Sequence, residues 1–253
     1  GLNTSAIFSF AKFISDLIPT ERPDYLGVAF DPKGGNFRHQ LYPLYKANRS
    51  ATPEDICASV PYIKEILEAM KVPVLEVPGY EADDVIGTIA KRASCDQYRV
   101  YMVTPDKDYG QLVDECIFMY KPRHGDGRLE VVDVEAIRAK YRIERPEQVI
   151  DILALWGDSS DNVPGVPGIG EKSAIKLVSE FGGVDGILAN LDKLKGKQRE
   201  NIEQNREQLL LARQLVTIDT HVPIEFAPQK LVLEEPDYDR LKAIYTRLGF
   251  TTL

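Results

Sequence analysis

Eight carboxylates fall at positions where acids can do chemistry. Asp31 directly follows the apolar run Tyr25-Leu26-Gly27-Val28-Ala29-Phe30. Glu81, Asp83 and Asp84 open a helical pattern that follows Val74-Leu75-Glu76-Val77. Asp106 and Asp108 come just after Arg99-Val100-Tyr101-Met102-Val103, and Asp158 and Asp161 precede a Gly/Pro-rich turn. In an open parallel sheet, ligands bind outside the carboxyl ends of the strands, so topology delivers the first three groups to one edge. Singly, each group has an ordinary explanation as a helix-dipole or turn residue. Together they do not. Two carboxylates ~4 Å apart repel by roughly 4 kcal/mol at an effective dielectric of ~20, a large share of the about 5–15 kcal/mol that holds a domain folded. Converging acids must take up protons or bind cations. Hard oxygen ligands with no nearby His or Cys select Mg²⁺ or Mn²⁺. A site with two or more such ions suits phosphodiester hydrolysis. His39, His124 and His221 lack zinc-type spacing.

A second feature is basic and aromatic. The chain has 39 acids against 31 Lys and Arg, a net charge of −8 that taken alone argues against nucleic acid. The charge is segregated, however. Pro32 to Pro53 holds no Asp or Glu but contains Lys33, Arg38, Lys46 and Arg49, interleaved with Phe37, Tyr42 and Tyr45. Cations among rings suit a single-stranded backbone with stacked bases. Lys46 and Arg49 are three apart and are expected to share a helix face, while Arg38 and Arg49 could fork onto phosphates. A solvated surface helix is the plain alternative.

The third feature is Asn162-Val163-Pro164-Gly165-Val166-Pro167-Gly168-Ile169-Gly170-Glu171-Lys172-Ser173-Ala174. Glu171 separates Gly170 from Lys172 and no strand precedes the turn, so neither a P-loop nor a dinucleotide fingerprint fits. Helix, glycine hairpin, helix exposes backbone N–H groups that grip phosphates without reading bases. A structural corner between helices remains the alternative. Lys193, Lys195, Lys197 and Arg199 form another basic run, which is usually a solvated face.

The elements that must position these groups follow from periodicity. A helix starts near Thr4 or Ser5, capped by one of them, with Ile7, Phe8, Ala11, Ile14 and Leu17 on its apolar face. Strands are expected at 25–30, 74–77 and 99–103, helices at 52–71 and 81–94, and a hairpin of 117–120 with 129–132 around Gly125 and Gly127. From Asp133 onward the pattern is helical, with helices at 146–156, 171–181, 197–218 and 238–248. Alternating strands and helices predict an α/β fold with a mostly parallel central sheet and a helical lobe. At 253 residues and 43% hydrophobic composition the chain can bury a sizeable core. No apolar run approaches the ~18 residues of a membrane span. Cys57, Cys95 and Cys116 are widely spaced, which fits reduced thiols in a cytoplasm.

Nearly the whole chain resembles the 5′-nuclease domain of bacterial DNA polymerase I, within the flap endonuclease superfamily. The matching strings are Ala29-Phe30-Asp31, Phe37-Arg38-His39, Tyr45-Lys46-Ala47-Asn48-Arg49, Tyr80-Glu81-Ala82-Asp83-Asp84, Thr104-Pro105-Asp106-Lys107-Asp108, Gly157-Asp158-Ser159-Ser160-Asp161-Asn162 and Val163 to Lys172. Seven strings in order are specific where one is weak. The resemblance implies a PIN/resolvase-like nuclease core over 1–157, with a helical arch at about 33–52, and a helix-hairpin-helix lobe over 158–253. It assigns Asp31, Glu81, Asp83 and Asp84 to one metal and Asp106, Asp108, Asp158 and Asp161 to the other side, some through water. Lys46 and Arg49 match residues that engage the scissile phosphate, and Tyr45 a stacking ring. Gly165, Gly168, Gly170 and Lys172 match the duplex-holding turn, where carbonyls also coordinate K⁺.

The family begins with a strand whose Asp faces the metals, and the first helix here matches a segment after it. The expectation is therefore a fragment, one carboxylate short, of a chain fused to a polymerase module. The implied activity is 5′→3′ exonuclease and 5′-flap endonuclease action on DNA with a flap, nick or 5′ end, by a monomer in a bacterial cytoplasm, at the nucleoid. The alternatives are a structure-specific DNA binder that does not cut, and a ribonuclease of a related acidic-site fold.

Overall fold

The computed structural model describes residues 2–94, 97–123, 125–126 and 128–253, so expectations placed on Gly1, Cys95, His124 and Gly127 lie outside the described residues. In chain order, helix α1 is Ser5–Glu21, strand β1 Val28–Ala29, α2 Phe37–Leu41, α3 Glu54–Ala69 and β2 Val74–Leu75. Next come α4 at Ala82–Ser94, β3 at Val100–Val103, β4 at Ile117–Pro122 and β5 at Leu129–Val132. The helical remainder is α5 Val134–Tyr141, α6 Val149–Trp156, α7 Glu171–Phe181, α8 Val184–Ala189, α9 Gly196–Gln204, α10 Arg206–Val216 and α11 Tyr238–Leu248. Short 3₁₀ turns at Lys107–Leu112 and Ser159–Asp161 carry acids of interest.

By packing, the chain forms two compact units. One takes Gly1–Asp31, Ser50–Glu76 and Glu225–Leu253; the other takes Pro32–Arg49 and Val77–Ile224. In the first, β1 pairs in parallel with β2, Val28 opposite Val74 and Ala29 opposite Leu75. Ile7, Ala11, Ile14 and Leu17 of α1 are buried, as are Ile66 and Leu67 of α3 and Leu241 and Ile244 of α11. This is the stripe that a 3.6-residue period predicts. The expected cap at α1 differs: Thr4 makes no side-chain cap bond, and Ser5 N–H donates to Asn3 Oδ1 at 3.1 Å.

In the second unit, β3 runs parallel to β4, and β5 is antiparallel to β4 as the hairpin expects. The α/β class holds, but the strands form two small sheets among the described residues, and the run at 25–30 contributes only two ladder residues. Leu26 N–H donates to Leu231 O, not to β2, so the ladder is shorter than the apolar run. The core is continuous from Met102 and Ile117 through Ile152, Leu153 and Leu155 of α6 to Leu177, Leu209 and Leu215. The expected 197–218 helix is two helices. Asn205 breaks it, its amide donating to Asn201 O at 2.7 Å, a side-chain competitor for the backbone of the kind that ends helices.

Candidate metal centre

The second unit gathers most of the acids. Glu81, Asp83, Asp108, Asp158 and Asp161, with Arg38 and Tyr45, line one cavity of about 10 Å³, on the order of one water or ion. Each arrives by a different local device. Asp83 and Asp84 stand in the first turn of α4. Asp106 Oδ1 caps the following 3₁₀ turn by accepting from Asp108 N–H at 3.0 Å, which turns Asp108 inward; Asp106 itself is exposed. Asp158 caps its own turn, accepting from Ser160 N–H at 3.0 Å and Ser160 Oγ at 2.6 Å. Asp31 belongs to the other compact unit.

The acids then divide. Asp84 is fully buried. Its Oδ1 accepts from Arg38 Nη2 and Asp219 N–H, both at 2.8 Å, and its Oδ2 from Arg38 Nη1 at 2.8 Å and Glu81 N–H at 3.0 Å. Four bonds fill a carboxylate's acceptor sites, so Asp84 is a supporting group in this structure, where the sequence suggests a direct ligand. Arg38 is corrected with it. Instead of a solvent-facing phosphate fork it is buried, and all five N–H donors are spent: on Glu81, twice on Asp84, and on the carbonyls of Leu215 and Thr217. Tyr45 is likewise buried, not an open stacking ring, and donates to Glu81 Oε1 at 2.7 Å. Glu81 also pairs with Lys46 Nζ. Burial opposes its ionisation, but Lys46, Arg38 and Tyr45 outweigh that and hold its pKa below the usual value.

Asp108, Asp158 and Asp161 are the other kind. One ligand oxygen from each lies within 4.8 Å of the others. Asp108 is buried, and its Oδ1 has no hydrogen-bond partner among the described residues. Burial, then Asp106, pushes its pKa up to about 8. Asp83, half-buried and close to Glu81, is pushed to about 6 by partial burial and that charge, despite a 2.9 Å hydrogen bond from Tyr109. A buried, orphaned carboxylate oxygen beside two further carboxylates is a donor set that fits a hard divalent cation.

The basic segment approaches this site without a helix. Past α2 the chain makes successive turns, and Lys46 sits at φ +56°, so a shared helix face for Lys46 and Arg49 is not formed. Both cations still meet acids: Lys46 Glu81, and Arg49 Asp161. Asn48 and Asn162 stitch the two loops together, through Ser159 O at 2.6 Å and Leu44 O at 2.7 Å. The sequence reading missed these, along with Lys107, 3.6 Å from Asp158 and 3.9 Å from Asp108. Its place between Asp106 and Asp108 was the available signal.

The glycine turn joins α6 to α7 as expected. Gly168, at φ +79°, and Gly170 are exposed, as is Lys172 in the first turn of α7. Gly165 is explained by packing instead: a Cβ there would overlap the carbonyl oxygen of Trp156.

Comparison with known proteins bears on the family and the fold. The 5′-3′ exonuclease N-terminal resolvase-like domain matches residues 1–142, and the 5′-3′ exonuclease C-terminal SAM fold matches residues 144–239. The chain belongs to the 5′-3′ exonuclease family. Its relatives include DNA polymerase I of Bacillus subtilis, 39% identical over 254 residues, and of Bacillus caldotenax, 37% identical over 251 residues. The alignments cover 100% and 99% of this chain but only 29% and 28% of those polymerases, so the chain spans under a third of their length. A bacteriophage T5 flap endonuclease solved as a pseudo-enzyme-product complex with DNA and metal ions superposes with a TM-score of 0.71 at 25% identity, covering 94% of this chain and 89% of that one. The catalytic core of Rad2 in complex with DNA shares the fold, with a TM-score of 0.65 at 16% identity, covering 99% and 81%. No helix among the described residues is long and apolar enough to cross a membrane.

Proposed function

We propose that this chain is a structure-specific 5′→3′ exonuclease and 5′-flap endonuclease that hydrolyses DNA phosphodiesters with Mg²⁺ or Mn²⁺. The observation that carries this is the orphaned, buried Oδ1 of Asp108 beside Asp158 and Asp161. Asp108, Asp158 and Asp161 would hold one ion, and Glu81, Asp83 and Asp106 would serve a second directly or through water. Such ions activate a water and offset charge on the leaving oxygen. The chain's own residues do the rest. Arg38 and Tyr45 orient Glu81, and Asp84 anchors Arg38. Lys46 and Arg49, now on Glu81 and Asp161, are placed to turn to the phosphate and stabilise its developing charge. Residues 1–157, with an arch over 33–52, form the catalytic portion in this proposal. The lobe over 158–253 grips duplex through the N–H groups of Gly168 and Gly170 and through Lys172, with K⁺ on the turn's carbonyls. The chain works as a monomer within a polymerase I of a bacterial cytoplasm, removing primers and flaps.

The test is a labelled 5′-flap DNA with Mg²⁺, Mn²⁺ or EDTA, alongside an RNA flap. Metal-dependent shortening of the DNA, leaving a 5′-phosphate and a 3′-hydroxyl, is expected. Flap retention without shortening would favour the DNA-binding alternative, and preference for the RNA flap the ribonuclease.

A further inference from the structure

Beside the carboxylates lies a larger cleft of about 370 Å³, which the phosphate chemistry does not use. Its walls include Tyr42, Lys107, Trp156, Asp158, Asn162 and Gly165. The volume is within the about 300–1,000 Å³ typical of small-molecule sites. Trp156 is the last residue of α6 and the one tryptophan in the sequence. Its backbone is held on both sides. Gly157 N–H donates to Leu153 O at 2.7 Å and Val166 N–H to Leu155 O at 2.9 Å, while Asp158 and Val163 exchange bonds of 2.9 and 2.8 Å. The glycines at 157 and 165 permit this, since a Cβ on either would collide with the other's backbone. The backbone that carries the indole is thus held before anything binds, which lowers the entropic cost of using it.

Lys107 Nζ stands 5.5 Å from the indole centroid and 3.6 Å from Asp158. Among the described residues lining the cleft it is the one cation, and Asp158 belongs both to the cleft and to the carboxylate trio. Two rings, a cation and a metal-capable carboxylate match a flat base joined to an anionic phosphate. A paired base has its edge and faces already engaged, so the match is to an unpaired nucleotide. Resting on the nuclease reading above, we infer that this cleft receives the unpaired base next to the scissile phosphate, stacked on Trp156 with Lys107 against its phosphate. Because every base offers a π face, the site tolerates sequence while requiring a base.

The experiment uses indole emission, which reports this cleft alone. The chain is titrated in EDTA, so the DNA stays whole, with a 5′-flap and with two otherwise identical flaps bearing an abasic tetrahydrofuran residue on one or the other side of the expected cut. The intact flap is expected to quench the emission, and one abasic flap to bind roughly 5- to 100-fold more weakly without quenching. Flap affinities of the variants, which carry no indole, are read from the anisotropy of a dye-labelled flap: Trp156→Ala should weaken the intact flap similarly and erase its advantage over that abasic flap, whereas Trp156→Phe should keep the advantage. A thermal melt of each variant checks folding. Equal quenching by all three flaps, or an unchanged abasic penalty in Trp156→Ala, overturns the cleft assignment and leaves the nuclease reading standing. Failure to bind any flap overturns both.

Discussion

Asp84 and Asp108 are both buried aspartates of one compact unit, and they meet opposite surroundings. Asp84 accepts four hydrogen bonds, two from a buried guanidinium. Asp108 keeps an oxygen with no hydrogen-bond partner among the described residues, only Lys107 at 3.9 Å, and a pKa raised to about 8. Residue type and spacing do not separate them; the hydrogen-bond count does. A fully satisfied buried acid belongs to the scaffold, whereas an unsatisfied one is costly to fold and persists where something else is to be bound. The first group is therefore expected to govern stability and the second activity.

The sharpest break of this comparison is Asp158→Asn, which keeps an oxygen to cap Ser160 while removing the charge. Loss of outer-shell partners typically costs about 10–100-fold, and a direct ligand should exceed that. Cleavage of a labelled flap by this variant is expected to fall by at least a thousandfold, with flap binding in EDTA and the melting temperature little changed. Turnover within tenfold of the parent would remove Asp158 from the metal site.

Arg38→Ala attacks the other group. It strands Asp84 and part of Glu81 as buried charges, and breaking such a pair typically costs about 3–5 kcal/mol. For a chain of this size that is a fall in melting temperature of roughly 6–20 °C. Arg38→Lys should recover little, since an ammonium cannot reproduce the fork that meets two carboxylates and two carbonyls. A melt within 2 °C of the parent would show that the buried network contributes nothing.

A smaller, pH-dependent difference follows from Asp108. Folded and metal-free, the chain holds this proton up to about pH 8, whereas the unfolded chain releases it near pH 4, the ordinary Asp value of ~3.9. Between those limits the unfolded state binds fewer protons, so stability falls as pH rises and the full cost is present above pH 8. Asp83, raised to about 6, acts in the same direction over a narrower window. The melting temperature in EDTA should drop from pH 5 to pH 8 relative to Asp108→Asn, and added Mg²⁺ should restore more at pH 8 than at pH 6. Parallel pH profiles for the two proteins would contradict this.

The sequence made the helices legible because their apolar stripes are set by local periodicity: α1, α3, α4, α7 and α11 lie within a few residues of expectation. It also marked the loops that bear Asp106, Asp108, Asp158 and Asp161, since each follows the end of an apolar run. What it could not carry was partnership. Arg38 and Asp84 are 46 positions apart, and nothing in either string says that the fork points inward. Arg38 and Tyr45 read as surface groups because composition reports charge and ring but not which carbonyls, such as those of Leu215 and Thr217, a distant helix end will present.

The smallest effect distinguishes two arginines that both meet acids of this unit. Arg49 pairs with Asp161, but its side chain is 52% exposed, against 4% for Arg38. Water and salt screen such a pair, and exposed pairs are typically worth about 0–1 kcal/mol. Arg49→Ala is therefore expected to shift the melt by no more than a few degrees, and by less in high salt. Its flap affinity should lose salt dependence, as removal of one phosphate contact lowers the slope of log affinity against log salt by about one. Removing Arg49 also frees Asp161, so Mg²⁺ should protect the variant against heat at lower concentration than it protects the parent. If Arg49→Ala instead unfolds the chain as Arg38→Ala does, burial is not what separates structural from functional cations here.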